Sequence, residues 1–157
     1  MLLLVSCSQN SFNSVEEAAS LTIPAAVTQA LNSNFPEARA TTWAVSGELY
    51  RAAFIDQEVH SGATFEKNGE MILDWHQIDE VHLPEAVKDY MKVNYMDAEI
   101  TEVRKVNLHQ DQGKGTVNFY VKMFYTNIIY SLEFKADGTL LSSKNEGREN
   151  ERHSCND

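Results

Sequence analysis

The chain has 157 residues and a mass of 17.7 kDa. That is the size of one domain, or of two half-domains sharing a core, and roughly 68–70% of the unfolded surface can be hidden without a metal or disulfide. With 43% hydrophobic and 23% charged residues the composition is that of a globular protein, and no apolar run approaches the ~20 residues of a membrane-spanning helix. Lys and Arg number 13 against 23 Asp and Glu, a net charge of −10, which sets the chain against nucleic acid and anionic lipid headgroups as partners.

The first residues, Met1-Leu2-Leu3-Leu4-Val5-Ser6-Cys7, are too short and uncharged for a complete secretory signal. Leu4-Val5-Ser6-Cys7 resembles a bacterial lipobox, which implies that Cys7 is acylated and becomes the mature N-terminus after cleavage. The basic part of such a signal is missing, so the true start is expected further upstream. Residues 8–20 are small and polar, as a flexible tether from membrane to domain should be. More than one acyl chain is needed for stable anchoring. The other cysteine, Cys155, lies at the far end in a polar stretch and has no fixed base beside it, so it is read as a free thiol and not a nucleophile.

A helix is predicted from Pro24, with Val27, Ala30, Leu31 and Phe35 at helical spacing, and Pro36 stops it. Strands are predicted at Thr41–Val45, Glu48–Ile55, Val59–Phe65 and Glu70–Trp75. The same order then recurs. A helix opens at Pro84, with Val87, Tyr90, Met91 and Tyr95 on one face, and strands follow at Glu99–Asn107, Thr116–Tyr125, Ile128–Phe134 and Thr139–Leu141. Pro24, Ala26, Val27, Asn34 and Ala38 match Pro84, Ala86, Val87, Asn94 and Ala98, sixty residues on. Tyr50 and Phe54 align with Tyr120 and Phe124 at a shift of seventy, and Phe65 and Gly69 with Phe134 and Gly138 at sixty-nine. Met96 stands where the first copy has Pro36, so the second helix is expected to end less sharply. Ser46-Gly47, Lys67-Asn68-Gly69 and Ala136-Asp137-Gly138 are hairpin signals. The expected fold is therefore α+β: two tandem repeats of one helix plus a four-stranded antiparallel sheet, over residues 21–80 and 81–142, with a disordered polar tail over 143–157.

The paired openings Ile23-Pro24-x-x-Val27 and Leu83-Pro84-x-x-Val87, the helix ends Phe35-Pro36-Glu37-Ala38 and Tyr95-Met96-Asp97-Ala98, and the closing turns Phe65 to Gly69 and Phe134 to Gly138 resemble the PepSY-like family of bacterial envelope proteins. The fold of that family is similar to the beta-lactamase inhibitory protein, and the resemblance covers about residues 21–142. It implies an exported, often lipid-anchored protein without established catalytic residues. It also implies binding of an enzyme through a concave sheet, or restraint of a peptidase. No inhibitor contact residue carries over, because no loop motif matches.

The sequence has no nucleophile elbow, phosphate-binding loop or zinc-protease motif. Gly113-Lys114-Gly115 lacks the strand-to-helix setting of a phosphate cradle. His76, Asp79, Glu80 and His82 have the residue types of a zinc site, but they occupy a polar joint and are read as solvated linker, so no metal, cofactor or enzymatic activity is assigned. His60 and His109 stand alone. Glu16-Glu17 and Asp79-Glu80 are adjacent carboxylates without the fixed gap that acid–base catalysis needs.

The strand Thr116–Tyr125 carries rings on both faces. Val117, Phe119, Val121, Met123 and Tyr125 form one apolar side; Asn118, Tyr120, Lys122, Phe124 and Thr126 form the other. Which side meets the helices stays open at this point. Tyr50, Phe54, Tyr120, Lys122 and Phe124, with Trp43, are taken as a recognition surface for a protein or peptide. The expected function is that of an exported protein of the periplasm or outer membrane, touching the membrane only through its anchor and inhibiting a peptidase or hydrolase, with a second copy of the chain as another candidate partner. The alternative is a small-ligand carrier with a cleft between the repeats.

Overall fold

The computed structural model describes residues 22–109 and 115–148. Helix α1 (Ala25–Asn34) is followed by strands β1 (Arg39–Ser46), β2 (Leu49–Asp56), β3 (Val59–Phe65) and β4 (Met71–Gln77). A short 3-10 turn (Glu80–His82) leads to helix α2 (Glu85–Asn94) and strands β5 (Glu99–Leu108), β6 (Thr116–Tyr125), β7 (Ile128–Lys135) and β8 (Leu140–Gly147).

The eight strands form one antiparallel sheet in chain order. This corrects the expected fold class: the chain does not build two tandem repeats, each with its own four-stranded sheet. The joint is the pairing of β4 with β5, from Leu73 opposite Leu108 to Gln77 opposite Arg104. Two separate sheets would expose four edges of unpaired N–H and C=O groups; joining them leaves two. The last strand also runs to Gly147, paired with β7, so residues 143–147 belong to the sheet and not to a disordered tail.

Both helices begin on a proline. Pro24 and Pro84 sit just before the first helical residue, with φ of −57° and −55°. The Pro24 carbonyl accepts from the N–H groups of Val27 (3.0 Å) and Thr28 (3.2 Å), and the Pro84 carbonyl from Val87 (3.0 Å) and Lys88 (3.1 Å). A proline there gives up no hydrogen bond, since the first N–H groups of a helix have no intrahelical partner. Both helices end at matching asparagines, and Asp97 follows α2 with φ of 67°. Met96 therefore does not prolong α2, contrary to the expectation from its missing proline.

The two helices cover the same face of the sheet, as the register shows. Ala63 lies opposite Asp74, Asp74 opposite Asn107, and Asn107 opposite Val117. Directly opposed residues share a face, and this row joins the α1 core to the α2 core. The first core packs Val27 and Leu31 of α1 on Ala52, Phe54, Ala63 and Phe65. The second packs Val87 and Met91 of α2 on Val103, Phe119, Val121, Met123, Leu132 and Phe134. Between them the covered face turns polar. Asn107 Nδ2 donates to Asp74 Oδ2 (2.8 Å), and His109 Nε2 lies 2.5 Å from Asp74 Oδ1. The opposite face carries neither helix.

Candidate functional site: the uncovered sheet face

The uncovered face is built from the alternate residues that point away from the helices. At its centre β4 contributes Trp75, β5 contributes Glu102 and Arg104, and β6 contributes Tyr120. Trp75 is opposed by Gly62 on β3 and Val106 on β5. Arg104 is opposed by Tyr120 and is the diagonal neighbour of Trp75. Its guanidinium carbon lies 4.0 Å from the Trp75 ring centroid and 5.2 Å from that of Tyr120. Guanidinium is weakly hydrated and planar, so it stacks on rings at low desolvation cost.

Further hydrogen bonds hold the stack in place. Arg104 Nε donates to Glu102 Oε1 at 2.5 Å, and the Tyr120 hydroxyl is 2.8 Å from Ser131 Oγ on β7. In the next row Asn118 Nδ2 donates to Glu133 Oε1 (2.9 Å). The Asn118 Oδ1 atom is buried and has no hydrogen-bond partner among the described residues, the kind of acceptor that water or a bound partner satisfies. Beside Trp75 a hollow of about 240 Å³ runs over small residues, lined by Thr42, Ala44, Arg51, Ala53 and Thr64. Trp75, Arg104 and Tyr120 thus form a ring–guanidinium stack beside a shallow hollow on the uncovered face.

The sequence-predicted surface residues do not come together. Tyr120, Lys122 and Phe124 lie on the uncovered face. Phe54 lies on the covered face, 3% exposed, with its ring centroid 4.8 Å from that of Phe35. Trp43 and Tyr50 pack against the same α1 core, Trp43 at 6.4 Å from Phe65. The single recognition surface expected from the sequence is thus corrected to two sets on opposite faces. The cause is one residue of alignment. The core side of β6 is Phe119, Val121 and Met123, and its counterparts are Tyr50, Ala52 and Phe54, at the same shift of sixty-nine that Phe65 and Phe134 show. A slip of one residue in a strand moves every side chain to the other face.

Trp75, Arg104 and Gly62 were not singled out by the sequence. With β4 and β5 assigned to separate sheets, nothing in the chain places Trp75 beside Arg104. Among the other candidates, His76 faces the helix side opposite Lys105, and the exposed His82 ends the 3-10 turn. No three His, Cys, Asp or Glu side chains among the described residues come together to hold a metal ion. The joint between β4 and β5 carries an open hollow of about 460 Å³ lined by Glu58, His60, Asp79, Glu80 and Glu102. Cys7 and Cys155 lie outside the described residues. No described helix is long and apolar enough to cross a membrane.

No protein-family model matches the sequence, and no curated protein does either. Solved structures do match. A BLIP-like protein of Bacteroides fragilis NCTC 9343 is 21% identical with a TM-score of 0.66, over 83% of this chain and 91% of that one. A Bacteroides eggerthii DSM 20697 protein, provisionally named periplasmic, is 19% identical with a TM-score of 0.70, over 79% and 89%. A DUF2874 family protein of Bacteroides uniformis ATCC 8492 is 19% identical with a TM-score of 0.67, over 78% and 88%. Together with the two helices on one face of a single eight-stranded sheet, these likenesses give the chain a fold like that of the beta-lactamase inhibitory protein.

Proposed function

We propose that the protein is an exported, lipid-anchored envelope protein of the PepSY-like kind that binds another polypeptide through the uncovered face of its sheet and so restrains a peptidase or hydrolase. The observation that carries the binding role is the Trp75–Arg104–Tyr120 stack on a face that neither helix covers. Rings and arginine dominate the energetics of protein interfaces because they bring large contact area at low conformational cost. Export rests on the lipobox-like residues before Cys7 and on the provisional periplasmic name of the Bacteroides eggerthii protein.

The test is site-specific photocrosslinking in intact bacterial envelopes. Benzoylphenylalanine at position 120 is expected to give discrete adducts with a partner polypeptide. The same group in place of Val93, 80% exposed on α2, is expected to give none. Adducts from position 93 alone, or none from either, would overturn the reading. Export is tested with labelled palmitate: the full chain takes up label and Cys7→Ser abolishes it, whereas label retained by that variant removes the anchor from the reading.

A further inference from the structure

The charge on the uncovered face runs against that of the chain. The rows that share this face with Trp75 and Tyr120 hold Arg51, Arg104, Lys122, Lys135 and Lys144. Their carboxylates are Glu99, Glu102 and Glu133, together with Glu146, which pairs with Lys144 at 3.0 Å. Glu102 is engaged by Arg104, and Glu133 accepts from Asn118. The side chains of Arg51 and Lys122 have no ion-pair or hydrogen-bond partner among the described residues. In a chain of net charge −10, this face thus carries a slight excess of cations, with Arg51 and Lys122 left to meet whatever docks here.

Resting on the binding role proposed above, we infer that the occupant is an acidic segment of a partner protein, lying extended across the strands. Arg51 on β2 lies in line with Thr116 on β6, through Thr64, Leu73 and Leu108. Lys122 is therefore four strand spacings across and six residues along from Arg51, a diagonal of about 28 Å, which an extended segment of about eight or nine residues spans. Carboxylates at its two ends meet Arg51 and Lys122, and an apolar or aromatic middle lies on Trp75, Arg104 and Tyr120. Charge matching of this kind sets partner choice and speeds encounter more than it deepens affinity. An anionic membrane is a poorer fit. The net charge of the whole chain opposes it, and the rings of this face are half-buried, not prominent enough to insert.

The experiment uses the full chain and a synthetic peptide of about twelve residues, with glutamates at both ends and tyrosine in the middle. Comparison probes are the same peptide with lysines for glutamates, and vesicles of phosphatidylglycerol and phosphatidylcholine. The acidic peptide is expected to bind at about 50 mM salt and to weaken several-fold by about 200 mM. Arg51→Glu with Lys122→Glu is expected to weaken it at least about tenfold, with thermal unfolding unchanged. Arg51→Gln with Lys122→Gln serves if the reversal does not fold, with a smaller loss in the same direction. Equal binding of the lysine peptide, preference for vesicles, no binding of the acidic peptide at about 1 mM, or binding indifferent to both charge variants would overturn the inference. Salt-sensitive self-association abolished by the same substitutions would replace the partner by a second copy and also overturn it. Should Tyr120→Ala weaken a peptide whose binding the charge variants leave intact, the binding role stands and the acidic occupant falls. Should neither matter, both fall.

Discussion

The indole of Trp75 lies across Gly62, its directly opposed neighbour on β3: a Cβ built at position 62 would meet the ring at 2.5 Å. The ring thus occupies the space that a side chain on the neighbouring strand would fill, and the missing side chain lets it lie low on the sheet within reach of Arg104. Gly62→Ala is expected to push Trp75 off the sheet and to cost about 1–3 kcal/mol through overpacking. Urea unfolding measures the cost. In a Trp43→Phe background, which leaves Trp75 as the sole indole, a changed emission spectrum reports the displaced ring. An unchanged spectrum with unchanged stability would count against this packing.

Arg104→Lys keeps the charge but gives up the planar stack on Trp75. The expected loss is about 0.5–1 kcal/mol of stability for a partly exposed cation–ring contact, with a change in Trp75 fluorescence in the same Trp43→Phe background. Arg104→Met retains apolar contact without charge and is expected to alter the emission as well. Fluorescence indifferent to both substitutions would mean that the stack does not persist in solution.

Phe54 and Tyr120, read from the sequence as members of one recognition surface, should behave oppositely. Phe54→Ala is expected to destabilise by about 3–5 kcal/mol, since it empties a core site beneath α1, a large part of the roughly 5–15 kcal/mol that holds a domain folded. Tyr120→Phe, which loses only the Ser131 hydrogen bond, is expected to cost about 0.5–1.5 kcal/mol. Chemical denaturation of the two variants side by side decides it; comparable losses would contradict the placement of these rings on opposite faces.

Gly69 and Gly138 have φ of 89° and 85°, and a Cβ at either would come within 2.6 Å of the Ala26 carbonyl oxygen and 2.8 Å of that of Ala86. Each turn therefore presses against the first turn of a helix, and alanine at either position meets both backbone strain and a clash. Gly47 has φ of 63° and open space around it, so Gly47→Ala carries the strain term alone, about 1–2 kcal/mol. Gly69→Ala and Gly138→Ala are each expected to exceed that in thermal or urea unfolding. Three equal losses would show that the helices do not bear on these turns.

In the β7–β8 turn the Asp137 carboxyl accepts from the Thr139 side chain and from its backbone N–H (2.9 Å), with Lys135 nearby, and these hold its pKa below the usual carboxylate value. A lowered native pKa means stabilisation present above the unfolded pKa and lost as pH falls through the lowered one. Asp137 should titrate below ordinary aspartates by NMR, and Thr139→Ala should return it toward them. Asp137→Asn is expected to keep the turn without this titration, as Asn68 does where its Oδ1 accepts from the Glu70 N–H at 2.8 Å.

Much of the local structure was legible before any coordinates. The prolines at 24 and 84, helical spacing through Leu31 and Met91, and alternation along Thr116–Tyr125 are short-range signals. They fall close to the observed elements because periodicity and backbone restriction act within a few residues. Two hairpin turns escaped notice: Gln57-Glu58 and Thr126-Asn127 take positive φ without any glycine, a conformation imposed by strand pairing and not advertised by residue type.

What the chain determined by itself was the order of its elements, the apolar side of its helices and its excess of acid. Tertiary structure alone decided that β4 would pair with β5, and with that the single sheet, the face left uncovered and the meeting of Trp75 with Arg104. The physical reason is that pairing between distant strands is set by edge groups seeking partners and by a register whose error of one residue exchanges inside for outside. Neither is written in the spacing of residues along one strand.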